Sequence, residues 1–125
     1  MKDFTLDIYS SLLSQFHSRG YEFLTFNDYI SNDASFGKTV IMRHDVDRLP
    51  KNALKMAELE HKMNIKASYY FRITNNSYDE NIIREIISMG HEIGYHYEDL
   101  SISKGDYENA IKSFKTNLDR FRNLY

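Results

Sequence analysis

Residues 39–48 read Thr-Val-Ile-Met-Arg-His-Asp-Val-Asp-Arg (TVIMRHDVDR), and Pro50 stands two positions beyond. The apolar run Val40-Ile41-Met42 passes without a break into Arg43-His44-Asp45-Val46-Asp47. That order predicts a buried strand carrying charge at its carboxyl end, with Pro50 opening the next helix. In parallel α/β folds, chemistry gathers at the carboxyl ends of strands. Side chains alternate along a strand, so Asp45 and Asp47 are expected on one side and His44 and Val46 on the other. Two carboxylates on one side suit a base and a metal ligand. The competing structural reading is a helix-entry turn, with one Asp as cap and the other paired to Arg43 or Arg48.

Working outward, strands and helices alternate on the carboxyl side. Pro50–Asn64 has apolar Ala53, Leu54, Met56, Ala57 and Met63 at helical spacing, and Asn64 suits a left-handed close. Lys66–Arg72 (KASYYFR) reads as a second strand ending in charge. Ser77 with Glu80 fits a capping box ahead of Ile82, Ile83, Ile86 and Ile87, and Gly90 closes that helix. His91–Tyr97 (HEIGYHY) is a third strand, followed by polar Glu98 and Asp99. A last helix starts at Gly105-Asp106 and carries Tyr107, Ala110, Ile111, Phe114, Leu118 and Phe121 on one face. The alternation predicts an α/β fold with a parallel sheet and right-handed crossovers. All three strands would then end in ionisable groups on one edge of that sheet.

On the amino side, Phe4, Ile8, Leu12 and Phe16 recur every four residues in an amphipathic helix over 4–18 stopped by Gly20. Tyr21–Phe26 is an extended piece or packing loop, Asn27 or Asp28 can start a short turn, and Ser31–Lys38 is a polar loop. Residues 1–38 are expected to cover the sheet and to hold nothing reactive.

Composition narrows the function classes. The 125 residues fit one domain, taken as 1–125 with 1–38 as a covering segment within it. A formal net charge of −2 leaves no basic footprint for nucleic acid or for a polybasic membrane contact. There is no cysteine, so any metal site falls to His and carboxylates. No stretch reads as a signal peptide or a membrane span, which predicts a soluble, cytoplasmic chain.

The candidate site combines Asp45 and Asp47 with His96 and Glu98, which alternation also places on a common side. One His and several carboxylates suit zinc or another divalent metal, with a spare carboxylate to take a proton. Arg43 is placed to hold a neighbouring Asp. Arg72 suits a carboxylate or an anionic sugar, or pairs with Asp45 or Asp47. Tyr95 and Tyr97 flank His96, where they line a sugar groove or simply pack. His44 is expected to be packed or hydrogen-bonded rather than a ligand, His91 to be structural, and His17 and His61, late in their helices, to be solvated or dipole-facing. Tyr69-Tyr70-Phe71 reads as core, and the Lys/Glu-rich helix surfaces read as solvated faces.

RHDVD followed by Pro50, then ASYYFR, then GHEIGYH resembles the polysaccharide deacetylase superfamily, carbohydrate esterase family four. The likeness spans about residues 39–100. It implies a distorted (β/α) barrel, of which this chain matches the amino-terminal half, later motifs lying beyond Tyr125. It implies removal of N- or O-acetyl groups from chitin-type sugars, peptidoglycan or xylan, with a metal held by one Asp and two His. Asp45 then matches the catalytic base, Asp47 the metal Asp and His96 the first metal His. The second His of the pattern falls at position 100, which is Leu100. Glu98 or Asp99 replaces it, or the site is weakened or lost.

The expected function is a metal-dependent hydrolase releasing acetyl groups from a carbohydrate, impaired in so short a chain. Asp45 would be catalytic, Asp47, His96 and Glu98 would hold zinc, and Arg72 and Tyr97 would touch the sugar. The alternative is a non-catalytic half-barrel that binds sugar or protein, pairing with itself through an exposed sheet edge. A receiver-like α/β domain also clusters acids at strand ends but needs a later strand bearing Lys.

Overall fold

The computed structural model describes residues 4–31 and 37–125. The elements run α1 (Leu6–Ser18), β1 (Glu22–Leu24), α2 (Phe26–Ser31), β2 (Thr39–Ile41), β3 (Arg43–Val46), α3 (Pro50–Lys62), β4 (Ser68–Phe71), α4 (Glu80–Ser88), β5 (Glu92–Tyr95), α5 (Asp99–Ile102) and α6 (Tyr107–Arg122). This is an α/β fold of parallel strands alternating with helices, as the sequence order predicts.

The strand expected over 39–47 is divided at Met42. β2 pairs with β1, while β3 pairs with β4 and β4 with β5, all in parallel. The Met42 carbonyl still accepts from Ser68 N at 2.9 Å, so the path continues while its hydrogen-bonding partner changes sides. In β3–β5 the Cα rows are Arg43, Ser68, Glu92; His44, Tyr69, Ile93; Asp45, Tyr70, Gly94; and Val46, Phe71, Tyr95.

Alternate rows face opposite sides. Val46, Tyr69, Phe71, Ile93 and Tyr95 pack with Ala53, Ala57, Ile82, Ile83, Ile86 and Phe121 in one buried core. The ring of Phe121 stacks on Tyr95 with centroids 5.5 Å apart. Alanines on α3 let that helix lie close to the sheet, and the isoleucine stripe of α4 fills the adjoining strip. Burying a side chain such as Ile83 or Ile86 contributes about 1.5–3 kcal/mol each.

Helix ends follow local chemistry with one correction. Asp79, not Ser77, caps α4, accepting from Asn81 N and Ile82 N at 3.1 and 3.2 Å. Ser77 is instead buried and donates to the Val46 carbonyl. Asp106 caps α6, and Asn64 takes the left-handed conformation expected of it, with φ 57°. Of the polar loop expected over Ser31–Lys38, residues 32–36 lie outside the described ones, and Ser31 closes α2. No helix among the described residues is long and apolar enough to cross a membrane.

Candidate functional site

Val46, Phe71 and Tyr95 end their strands in one row, so the next residue of each is Asp47, Arg72 and His96. Those three side chains meet. Asp47 Oδ1 lies 3.1 Å from Arg72 Nε and 3.3 Å from His96 Nδ1. A terminal nitrogen of Arg72 also pairs with Glu98 Oε1. Arg72 Nε and His96 Nδ1 are buried atoms, yet neither makes a hydrogen bond of good geometry. The Asp47 carboxylate lies beside both nitrogens without an aligned hydrogen bond to either, in contrast to the pairs of a closed ion-pair network.

The turns carrying the cluster are tied together. Leu49 sits in the left-handed region at φ 57°, a conformation costing a non-glycine residue about 1 kcal/mol. Its N–H donates to the Asn76 carbonyl at 3.1 Å, and its own carbonyl accepts from Asn52 N at 2.9 Å. Ser77 Oγ accepts from Arg72 N at 3.1 Å while donating to Val46 O, so one buried hydroxyl links the end of β3 to the end of β4.

Asp45 stands two rows below, and its partner is Arg43, whose Nε donates to Oδ1 at 2.8 Å. The carboxylate is the main reason the Arg43 guanidinium is pushed above its ordinary value. The guanidinium carbon lies 4.2 Å from the centroid of the Tyr70 ring, a cation–π contact of about 0.5–1 kcal/mol at an exposed site. Both expectations for Arg43 meet here: it pairs with Asp45, as in the helix-entry reading, and it holds that side chain in place.

The remaining candidates separate. Tyr97 is exposed, its ring edge-on to Phe114 at 5.4 Å. Leu100 is exposed on α5. Asp99, the other replacement considered for the second His, is buried. It accepts from Tyr95 Oη at 2.8 Å, Ser113 Oγ at 2.5 Å and Asn117 Nδ2 at 3.2 Å, which fastens α5 to β5 and α6. Burial, with Asp99 beside it, pushes the Tyr95 hydroxyl up to about 12.

A second polar centre lies on the helix-covered face. Glu60 of α3 is fully buried, which corrects the reading of Lys/Glu-rich helix surfaces as solvated. Its carboxylate takes Tyr69 Oη at 2.6 Å, His44 Nε2 at 2.6 Å and the hydroxyl of Tyr9. Burial alone would raise the Glu60 carboxyl, but the bonds from His44, Tyr69 and Tyr9 together hold it below its ordinary value. Burial and the nearby Glu60 charge raise both tyrosine hydroxyls. His91 lies 3.7 Å from Glu60 Oε2 but is already satisfied: Nδ1 accepts from Ala67 N at 3.2 Å and Nε2 faces the Ala57 carbonyl at 3.0 Å. It is therefore a neutral structural residue, and burial pulls its value down.

That centre makes the amino-terminal helix more than a cover, since Tyr9 of α1 reaches the buried carboxylate. The signal for it was present: Glu60 shares a helical stripe with Ala53 and Ala57, all three buried. His44 is hydrogen-bonded, as expected. His17 and His61, expected to be solvated or dipole-facing, are exposed and face the backbone carbonyls of Met63 and Met89 at 3.3 and 3.0 Å. A hollow of about 680 Å³ between α1 and α3 is lined by Ile8, Leu12, Lys55 and Met56, away from the Asp47 group.

Two donors at the sheet edge suit a divalent ion. Metal bonds of 2.0–2.1 Å at a tetrahedral angle put two donor atoms about 3.3 Å apart, which is the separation of Asp47 Oδ1 and His96 Nδ1. The unbonded, buried His96 Nδ1 fits the same role. Glu98 is not grouped with them and pairs with Arg72 instead. Among the described residues, no three His, Cys, Asp or Glu side chains are grouped to hold a metal. Comparison with protein-family models, with curated proteins and with solved structures finds no match.

Proposed function

We propose that this chain is the amino-terminal half of a barrel-like, metal-dependent hydrolase that removes acetyl groups from a carbohydrate. The observation that carries the proposal is the convergence of Asp47 and His96 at adjoining strand ends, within the RHDVD and GHEIGYH motifs that resemble polysaccharide deacetylases. Asp47 and His96 would hold the ion. Zinc or a similar divalent ion supplies Lewis acidity toward an acyl carbonyl. Asp45, on the same face two rows below, accepts the proton of the attacking water, and Arg43 keeps its carboxylate oriented. Arg72 neutralises Asp47 and Glu98 at the rim and is placed to meet a polar sugar substituent. Tyr97 offers an exposed ring against Phe114 for sugar contact.

One observation favours the non-catalytic alternative. The Arg72 guanidinium supplies a positive charge between Asp47 and Glu98, where a hydrolase of this kind uses its metal. Self-pairing through the outer edge of β5 has a local obstacle: the Tyr125 hydroxyl meets both Ile93 N and Ile93 O there, at 2.5 and 3.1 Å.

The two readings part on acetate release from acetylated oligosaccharides in the presence of zinc. Release by the wild type that Asp45→Asn removes is the expected result. Release that survives Asp45→Asn overturns the role given to Asp45.

A further inference from the structure

We propose that Gly94 and Tyr70 are positioning residues for Asp45, acting through Arg43; the inference rests on the hydrolase reading above. Asp45, Tyr70 and Gly94 occupy one row across β3, β4 and β5, on the face opposite α3, α4 and α6. Glycine inside a strand weakens it, so its presence there marks a close approach by something else. Here that is the Tyr70 ring. A Cβ at Gly94 would lie 2.4 Å from Tyr70 Cε1, 2.6 Å from Cδ1 and 2.7 Å from Cζ. The ring therefore crosses the bare backbone of β5. Phe26 meets it edge-on at 6.3 Å, limiting where it can swing.

The other end of the relay is Arg43. Its guanidinium rests over the same ring, 4.2 Å from the centroid, and from there Nε reaches Asp45 Oδ1 at 2.8 Å. An exposed arginine has many rotamers, and a flat aromatic surface selects among them by stacking. The ring is what Arg43 uses, not the hydroxyl. Any side chain at position 94 pushes the ring away and leaves Arg43 without its support, so Asp45 loses its orientation through a residue on the far strand.

Side-chain NMR of the labelled full chain tests this without turnover. The Arg43 Hγ and Hδ protons should be shifted upfield by the Tyr70 ring, and the Nε–Hε cross-peak should persist near neutral pH because it is bonded to Asp45. In Gly94→Ala and Tyr70→Leu, those protons should move to free-arginine positions and the cross-peak should broaden away. Tyr70→Phe should keep both signals, which a general need for tyrosine in the strand would not allow. Methyl signals of Ile83 and Ile86 report that each variant is folded. If Gly94→Ala fails to fold, Tyr70→Leu carries the test, since it adds nothing beneath the ring. Unchanged Arg43 signals in folded Tyr70→Leu overturn the relay. Failure of the hydrolase reading shows elsewhere, as no acetate release by the wild type, and leaves these signals as they are.

Discussion

Tyr69 Oη donates to Glu60 Oε2 across 2.6 Å, and neither side chain reaches solvent. The carboxylate is a buried charge tolerated because His44 and Tyr9 complete its shell from β3 and α1. Removing it strands three polar partners at once. Glu60→Ala should cost about 3–5 kcal/mol in a denaturant unfolding titration. Tyr9→Phe, which removes one donor at the edge of the network, should cost about 1 kcal/mol. A loss under about 1 kcal/mol for Glu60→Ala would mean that the centre contributes little to the fold.

Acid should destabilise the chain in two steps. His91 has a folded value lowered by burial, so the unfolded chain binds more protons once the pH drops below about 6.5. Its contribution is complete above that pH and is lost on the way down to the folded value. Glu60 is lowered too and adds a second loss below about pH 4.3. The thermal midpoint should therefore fall between about pH 7 and pH 5.5 in the wild type, and His91→Gln should flatten that decline. An equally steep decline in the variant would place the titrating group elsewhere.

Ser77 holds two of the three strand ends that build the site. Ser77→Ala leaves the Arg72 N–H and the Val46 carbonyl without their buried partner, at about 1–3 kcal/mol. The backbone amide signals of Asp47 and Arg72 should shift more than those of α6. Shifts spread evenly over the chain would argue against a local clamp.

The strand ends were legible because alternation and charge coincide there: RHDVD follows the apolar run Val40-Ile41-Met42, and GYHYE closes the third strand, each with ionisable groups on a common side. The division of the strand at Met42 was not, since periodicity within one strand says nothing about which neighbour each half pairs with. Ser77 was misread because Ser-x-x-Glu matches a capping box wherever it occurs, and Asp79 competed for the same helix start. Glu60 was hidden by its chemistry. Its helical position pointed inward, but a charged residue reads as solvated until its partners, remote in sequence at Tyr9 and His44, are brought to it by the fold.

Arg72 is the rival for the carboxylates at the sheet edge. Its pairs with Asp47 and Glu98 are partly solvent-exposed, so breaking them should change stability by no more than about 1 kcal/mol. Arg72→Gln should free both acids and tighten zinc binding by about tenfold, equivalent to about 1.4 kcal/mol. Weaker zinc binding in the variant would show that Arg72 supports the site rather than competing for it.

In the proposed hydrolase, Asp47 and His96 form a metal-binding pair. Calorimetric titration of zinc into chelator-stripped protein, with Asp47→Ala measured alongside, tests it most directly. One saturable site in the wild type that disappears in Asp47→Ala is the predicted result. Binding unchanged in Asp47→Ala, or none by a folded wild type, would contradict it.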